Sequence, residues 1–201
     1  MKLYASPTSP FVRKVTVMIR EGGIEGVETV DVAGTPVAPG TLPVDLNPLG
    51  KIPALQLDDG RALYDSRVIC RYLDQRAGTG FYPADDRLWD VLALEATADG
   101  MMDAAVLMVY ESRLRPEERR HAPWVEAQWL KIARALDAAE TLWQPHLQGR
   151  LDAGQIALGV ALGYLDFRLS DRNWRDGRPA LAAWQTGRAA SAAMQATVPQ
   201  G

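Results

Sequence analysis

The most informative segment of the sequence is Leu46-Asn47-Pro48-Leu49-Gly50-Lys51-Ile52-Pro53-Ala54-Leu55. Its asparagine, first proline and glycine predict a turn, because these residue types favour turn conformations. Pro53 then opens a β-rich run, and it must lie at the first residue or the edge of a strand, since proline cannot donate a backbone hydrogen bond. If the Ile52–Pro53 bond is cis, the Ile52 backbone turns outward, and its N–H and C=O groups are left free for a partner.

The residues before this segment predict a strand, a helix and a second strand. Residues 2–5 and 27–32 have the pattern of short strands. Between them, Ser9 is placed to cap a helix whose first residue is Pro10, and Gly22-Gly23 ends that helix. Two strands joined by a helix in this order predict a right-handed βαβ unit with parallel strands.

The residues after the segment predict a hairpin and then a second helix. Asp58-Asp59-Gly60 separates two short strand-like runs, which is a strong hairpin signal. Ser66 is predicted to cap the following helix, and Cys70 lies on its apolar face as an inert core residue. In the first helix, the apolar spacing predicts that Arg13 and Lys14 lie at the surface.

The chain therefore divides into an α/β part and an all-helical part. Residues 1–78 are predicted to form a βαβ–ββα domain, and residues 84–201 an all-helical domain. Asp152 and Gln155 have the spacing of a capping box at the start of a buried central helix. The helical segments are predicted at residues 84–113, 123–144, 156–169 and 179–196.

The composition excludes several classes of protein. The 201 residues are 47% hydrophobic and 23% charged with a net charge of −3, so no basic surface for nucleic acid is indicated. A single cysteine and two histidines exclude an internal disulfide and argue against a metal cluster. With no apolar run of membrane-spanning length and no signal-peptide pattern, a cytoplasmic protein is expected.

Two helix starts carry candidate chemistry. A hydroxyl at Ser9, with the unpaired N–H groups of the first turn, is suited to hold a thiolate in the positive end of the helix dipole. Thr8 and Ser6 are neighbouring alternatives, and a simple capping role is the structural alternative. Asp65 with Ser66 can hold an ammonium and a carboxylate together, although a capped helix is the favoured explanation of the pair taken alone.

These features together describe one ligand. An ammonium–carboxylate head at Asp65 and Ser66, an amide at Ile52, a thiol at Ser9 and a second carboxylate near Lys51 match the tripeptide glutathione. Taken alone, Lys51 is better explained as a solvated surface lysine. The combination is more specific than any one of its parts.

The same residues resemble a known family. The segments 8–15, 47–55, 65–67 and 158–168 resemble the glutathione S-transferase family, the last of them the central helix of its bacterial members. The resemblance implies a thioredoxin-like N-terminal domain with cis-Pro53, an all-helical C-terminal domain and a homodimer. It also implies glutathione as co-substrate, with no metal and no other cofactor.

The resemblance also implies a role for individual residues. Ser9 corresponds to the catalytic serine or cysteine of the first helix, and the Ile52 backbone to the group that holds the cysteinyl unit. Asp65 and Ser66 correspond to the γ-glutamyl site, and Lys51 to a partner of the glycyl carboxylate. The glutathione-binding residues that follow from it are Ser9, Phe11, Lys51, Ile52, Pro53, Asp65 and Ser66.

Some positions depart from the family pattern or leave alternatives. Position 9 is not a cysteine, so conjugation is favoured over glutaredoxin-like thiol transfer, and Tyr4 is an alternative thiol donor. Asp99 and Asp103 can line the cleft between the domains or pair with arginines at a dimer interface, and a structural role is preferred. The electrophile is expected to contact apolar residues chosen from Phe11, Met101, Met102, Met108, Tyr110 and the tryptophans.

The sequence thus favours a glutathione transferase that ionises the thiol and conjugates it to a hydrophobic electrophile, as in detoxification. A glutathione-transferase-like binding or regulatory module without turnover is the alternative from another class. Glutathione-dependent isomerisation, dehalogenation and peroxide reduction are further alternatives, because all of them begin with the same thiolate.

Overall fold

The computed structural model describes residues 1–200, and its N-terminal part is built on one four-stranded sheet. The strands are β1 (Lys2–Ala5), β2 (Glu28–Asp31), β3 (Ala54–Gln56) and β4 (Ala62–Leu63), in the order β2-β1-β3-β4. β1 pairs parallel with β2 and antiparallel with β3, and β3 pairs antiparallel with β4. This is the predicted mixed sheet, and the parallel pair confirms the βαβ unit.

Helices pack against this sheet and form the rest of the chain. They are α1 (Pro10–Glu21), α2 (Ser66–Ala77), α3 (Arg87–Leu114), α4 (Ala122–Thr141), α5 (Gln144–Leu147), α6 (Ala153–Arg168), α7 (Pro179–Ala189) and α8 (Ala192–Gln195). The fold class is the predicted one: a thioredoxin-like N-terminal part followed by an all-helical part. The boundaries at residues 1–78 and 84–201 remain a prediction.

The single final helix predicted over residues 179–196 is wrong, because the structure has two helices there. Ser191 adopts an extended backbone, and its side chain accepts a hydrogen bond from the Met194 N–H group. A serine in this role starts a new helix instead of continuing the old one, because its oxygen satisfies an N–H group that a continuous helix would have used.

The central helix α6 is buried as predicted, and it packs along α3. Asp152 caps it, accepting a hydrogen bond from the Gln155 N–H group at 2.9 Å. The reciprocal half of the predicted capping box does not form. The Gln155 side chain instead donates to the backbone carbonyls of His146 and Arg150, which ties the preceding loop to the start of α6.

The predicted surface position of Lys14 and Arg13 is wrong. Lys14 is 0% exposed, and its Nζ lies 2.7 Å from Asp99 Oδ1 and 3.1 Å from Glu95 Oε1. Its helix α1 is covered on that side by α3, so the ammonium group is buried against carboxylates that neutralise it. Arg13, also buried, donates to the Met194 carbonyl of the C-terminal segment. Polar residues of α1 thus join the two parts of the chain.

Two further findings concern membrane-spanning helices and the single cysteine. No helix in residues 1–200 is both long enough and apolar enough to cross a membrane. Cys70 is completely buried in the core, as predicted, and burial raises the pKa of its thiol.

Candidate functional site

The start of α1 presents one hydroxyl with an unused proton. Ser9 caps the helix, and its Oγ accepts a hydrogen bond from the Val12 N–H group at 3.3 Å. No group in residues 1–200 accepts the Ser9 hydroxyl proton. The backbone offers fewer free donors than expected, because Pro10 has no N–H group and the Arg13 N–H group donates to the Ser9 carbonyl. The Phe11 N–H group has no partner within residues 1–200.

The alternative hydroxyls near Ser9 are already engaged. The Tyr4 hydroxyl donates to Gln56 Oε1 at 3.2 Å, within the sheet. The hydroxyls of Ser6 and Thr8 lie 3.4 Å apart and pair with each other. The Tyr4 contact favours Ser9 over Tyr4 as the hydroxyl that can donate to a ligand, whereas the Ser6–Thr8 pair uses only one of its two protons and does not decide between these residues and Ser9.

The segment before β3 has the turn that its sequence predicts. The Ile52–Pro53 bond is cis, as the family resemblance implies. Asn47 is buried and holds the turn, donating to the Lys51 carbonyl at 2.8 Å and accepting from the Leu49 N–H group at 3.1 Å. The Ile52 N–H and C=O groups have no hydrogen-bond partner within residues 1–200, so they are available to an extended peptide.

The start of α2 differs from the prediction in one respect: the N-cap is Asp65, and Ser66 is the first helical residue. Asp65 Oδ1 accepts from the Arg67 N–H group at 3.0 Å, and Asp65 Oδ2 pairs with the Arg67 guanidinium at 2.7 Å. An ionised carboxylate at this position has the stronger attraction to the helix dipole. The N–H groups of Ser66 and Val68 remain without a partner among residues 1–200.

The charge of Asp65 is maintained in this site. Burial raises the pKa of Asp65, but the hydrogen bonds and charge of Arg67 outweigh that effect and hold the pKa below its ordinary value. Asp65 is exposed and Ser66 is only 2% exposed. A ligand at this helix start therefore meets a carboxylate for an ammonium group and free N–H groups for a carboxylate.

Sequence reasoning missed the charges behind α2. The Arg67 Nε lies 3.7 Å from Asp99 Oδ2, so Arg67 stands between Asp65 and the buried cluster of Lys14, Glu95 and Asp99. Burial raises the pKa of Asp99 to about 6, against the opposing charge of Lys14. Asp99 therefore has the structural role that was preferred for it, with Lys14 as its close partner.

Asp103 lies one turn further along α3 and is exposed. Burial of part of the group raises the pKa of Asp103, and the charges of Lys51 and Arg67 oppose this. The Asp103 carboxyl on α3 is therefore under the electrostatic influence of the Lys51 loop and of the start of α2. Lys51 itself is exposed and has no salt bridge within residues 1–200.

A cavity of 530 Å³ is formed where the loop after β2 approaches α3 and α4. It is lined by Val37, Leu107, Tyr110, Glu111, Leu114, Arg115, His121 and Trp124. Tyr110 and one tryptophan were among the residues proposed to contact the electrophile. The proposed lining by methionines is wrong, because their side chains face the core between the helices; these are Met101, Met102 and Met108, all at most 4% exposed.

A larger cavity of 620 Å³ lies elsewhere, beside the start of α6. Its lining includes His146 and Asp152, whose Nε2 and Oδ2 atoms are 2.7 Å apart. Neither this cavity nor the 530 Å³ cavity is lined by Ser9, Ile52 or Asp65. Cavity size therefore does not identify the site of the thiol chemistry.

Comparison with known proteins gives the family. The profile described as "Glutathione S-transferase, N-terminal domain" matches residues 8–76, and that described as "Glutathione S-transferase, C-terminal domain" matches residues 122–184. The chain belongs to the glutathione S-transferase family. This transferase-family chain is 34% identical over 188 residues to an uncharacterized GST-like protein, YibF, from Escherichia coli (strain K12), with 90% of each chain covered.

Solved structures support the assignment. A glutathione transferase family member from Pseudomonas fluorescens Pf-5, solved with bound glutathione, is 44% identical, with a TM-score of 0.96 over 100% of this chain and 99% of that one. A structure of a family member from the same organism with bound S-(propanoic acid)-glutathione has a TM-score of 0.92 at 43% identity, with both chains fully covered. Relatives of this glutathione S-transferase family chain thus bind glutathione and an S-substituted form of it.

Proposed function

We propose that this chain is a glutathione transferase that conjugates the glutathione thiol to an electrophile. The observation that carries the proposal is the arrangement of unused donors: the Ser9 hydroxyl, the Ile52 backbone and the free N–H groups at the start of α2. Each is without a partner inside residues 1–200, and together they match the thiol, the central amide and the γ-glutamyl head of one tripeptide.

The γ-glutamyl head is placed at the start of α2. Its ammonium group pairs with the Asp65 carboxylate, and its carboxylate accepts from the Ser66 hydroxyl and the N–H groups of Ser66 and Val68. A charge-assisted hydrogen bond of this kind is shorter and stronger than a neutral one. Lys51, exposed on the other side of the cleft, attracts the glycyl carboxylate.

The thiol is placed at the start of α1. The Ser9 hydroxyl and the Phe11 N–H group donate to the sulfur, and the first turn of α1 carries no acidic residue to oppose a negative charge. These donors stabilise the thiolate and lower the pKa of the bound thiol from about 8.5. The thiolate then attacks an electrophile that is held in the 530 Å³ cavity between the loop after β2, α3 and α4, so catalysis combines electrostatic stabilisation with proximity.

The relatives support this assignment of ligands. Glutathione bound to a Pseudomonas fluorescens family member of the same fold supports glutathione as the co-substrate here. S-(propanoic acid)-glutathione bound in the other structure supports a cleft that accepts a substituent on sulfur. The homodimer implied by the family resemblance remains a prediction, which analytical ultracentrifugation tests directly.

The decisive experiment is an ultraviolet titration of bound glutathione across pH at the thiolate absorption band. We expect the bound thiol to ionise well below the pKa of about 8.5 of a free thiol. Ser9→Ala should move the bound pKa upward, whereas the neighbouring control Thr8→Ala should leave it unchanged. A bound thiol that ionises like free glutathione would instead favour a binding module, and so would retention on a glutathione resin without conjugation of any electrophile.

A further inference from the structure

The C-terminal segment, residues 188–197, lies against the first helix and contacts it near both ends. At the last residue of α1, the Glu21 carboxylate pairs with the Arg188 guanidinium and accepts a hydrogen bond from Ser191 Oγ at 2.9 Å. Both side chains of this ion pair are largely buried. Glu21 lies about three helical turns from Ser9, so this contact holds the helix without touching the proposed thiol site.

The other contact of the segment is made by Arg13, near the start of α1. Arg13 is only 7% exposed, and its Nη2 donates to the Met194 carbonyl at 3.1 Å. Its Nε donates to Thr197 Oγ1 at 3.4 Å. The Thr197 hydroxyl donates its own proton to the Ala193 carbonyl at 2.9 Å, which leaves its oxygen free to accept. A buried guanidinium remains charged, and it requires such acceptors because an unpaired buried charge is costly.

A glycine of α6 makes room for the Arg13 side chain. A Cβ atom on Gly163 would lie 2.6 Å from Arg13 Nη1, which is too close for two non-bonded atoms. By contrast, a Cβ atom on Gly187 of α7 would meet no described atom within 4 Å. The guanidinium of Arg13 is therefore held between the backbone of α6 and the C-terminal segment.

The backbone of Arg13 closes the turn that carries the proposed thiol donors. Its N–H group donates to the Ser9 carbonyl at 3.0 Å, and the Ser9 hydroxyl and the Phe11 N–H group belong to this turn. The first turn of a helix frays easily, because its N–H groups lack partners within the helix. An anchored side chain at Arg13 opposes this fraying and keeps both donors in place.

The rest of the proposed glutathione site is independent of the C-terminal segment. The central amide is placed at Ile52 and the γ-glutamyl head at Asp65. Within residues 1–200, no hydrogen bond or salt bridge joins residues 188–197 to either of them. A change in the contact with Arg13 should therefore act on the thiol and spare the binding of the remaining tripeptide.

We propose that Arg13 and Thr197 are positioning residues for the thiol site, through which the C-terminal segment holds the first turn of α1 in the geometry that stabilises the thiolate. This inference rests on the proposed glutathione transferase function and extends its machinery to the end of the helical part. The effect should appear in thiol ionisation and in kcat, because a displacement of about 1 Å at a reacting group can lower a rate about 100-fold.

The test measures the pKa of enzyme-bound glutathione by ultraviolet titration and, separately, the Kd of S-methylglutathione, which has no thiol to ionise. Arg13→Met keeps the apolar stem but removes the donors, and Thr197→Val removes the acceptor. Arg13→Met should raise the bound thiol pKa by about one pH unit, and Thr197→Val by less, with the Kd of S-methylglutathione unchanged. The double variant should match Arg13→Met, since both changes break one contact.

Gly163→Ala tests the same contact without altering either partner. Its methyl group should displace the guanidinium and raise the bound thiol pKa, even though alanine favours a helix more than glycine does. Gly187→Ala is the matched control: it adds the same methyl group in open space and should change neither the thiol pKa nor the Kd. Arg13→Lys retains the cation and a donor for the Met194 carbonyl, so it should restore part of the loss.

The remaining outcomes separate the two proposals. An unchanged thiol pKa in Arg13→Met and Gly163→Ala would overturn the positioning role and leave the transferase proposal standing. A rise in Arg13→Met alone would assign the effect to the charge of the guanidinium and contradict positioning. Equal loss of thiol ionisation and of S-methylglutathione binding would show a purely structural role. A thiol that ionises like free glutathione in the unaltered protein would overturn both proposals. If Arg13→Met does not fold, Thr197→Val and Gly163→Ala decide.

Discussion

The two helices that bound the proposed thiol site begin with N-cap residues of different charge. α1 begins with a neutral hydroxyl, Ser9, and has no acidic residue in its first turn. α2 begins with an ionised carboxylate, Asp65, whose charge is supported by Arg67. A helix amino terminus attracts an anion in either case. The negative charge of an acidic N-cap residue already neutralises part of the helix dipole, so the attraction for a ligand anion is weaker.

This difference separates two ligand groups within one small molecule. The neutral cap of α1 leaves the helix dipole to act on a single anion, as a thiolate requires. The acidic cap of α2 offers an acceptor and donors side by side, as an amino-acid head requires. The choice of N-cap residue can therefore direct the same tripeptide into one orientation.

The largest effect is expected from Asp65→Asn. Asparagine still caps α2, so the helix start is retained while the negative charge is removed. Loss of the charge-assisted bond to the ammonium group should raise the Kd for glutathione about 10- to 100-fold. Equilibrium binding measures this, with Asp59→Asn in the hairpin as control. An unchanged Kd would show that the charge of Asp65 does not contribute to glutathione binding, which would contradict the proposed difference between the two helix starts.

A second prediction concerns replacement of Ser9, the N-cap residue of α1. Ser9→Ala should lower kcat/KM about 10-fold, because one donor to the thiolate contributes about 1.4 kcal/mol. Ser9→Asp keeps a capping oxygen but places a negative charge beside the sulfur, so we expect a larger loss and a bound thiol pKa above that of Ser9→Ala.

The controls for this exchange separate capping from thiolate stabilisation. Ser9→Thr retains a hydroxyl and should stay close to the original activity, and Tyr4→Phe should have little effect, since the Tyr4 hydroxyl bonds to Gln56. If Tyr4→Phe lost the activity and Ser9→Ala kept it, the thiol donor would be Tyr4.

A third prediction concerns the buried charges behind α2. The pKa of Asp99 is raised from its ordinary 3.8 to about 6, so the folded chain holds a proton that the unfolded chain releases between these pH values. This contribution to the free energy of unfolding is complete below pH 3.8 and is lost as the pH rises through 6; it amounts to about 3 kcal/mol. Denaturant unfolding at several pH values should show this slope, and Asp99→Asn should remove it.

The smallest effect is expected from Lys51→Gln. Lys51 is exposed, so its attraction to the glycyl carboxylate is screened by water and salt. We expect the Kd for glutathione to rise about 2- to 3-fold at low salt, an effect of less than 1 kcal/mol, and the difference to vanish at high salt. A much larger change that persists in high salt would place Lys51 among the principal ligand contacts.

Local sequence signals predicted the parts of the fold that local interactions determine. Ser9 followed by proline gives the start of α1, and the turn at Asn47 with cis-Pro53 gives the exposed Ile52 backbone. The free donors at Ser9 and Ile52 were predictable for the same reason. The cap of α2 was misplaced by one residue, because Asp65 and Ser66 are both good N-cap residues and local sequence does not choose between them.

Features that depend on distant contacts were not predictable in this way. Lys14 has the appearance of a surface residue until Glu95 and Asp99, about 80 positions later, are brought against it. The methionines of α3 are compatible with either an adaptable binding surface or a core. The orientation of α3 against α6 places them in the core; they are Met101, Met102 and Met108.

The buried ammonium of Lys14 has a consequence for chimaeras whose N-terminal and helical parts come from different relatives. Its carboxylate partners belong to the helical part of the chain, so a chimaera that combined this N-terminal half with a foreign helical half lacking acids at those two positions would bury an uncompensated cation. Grafting should succeed only when the lysine and its two acids are inherited as a set. The inheritance of this trio, and not overall identity, is then the practical criterion for choosing compatible parents.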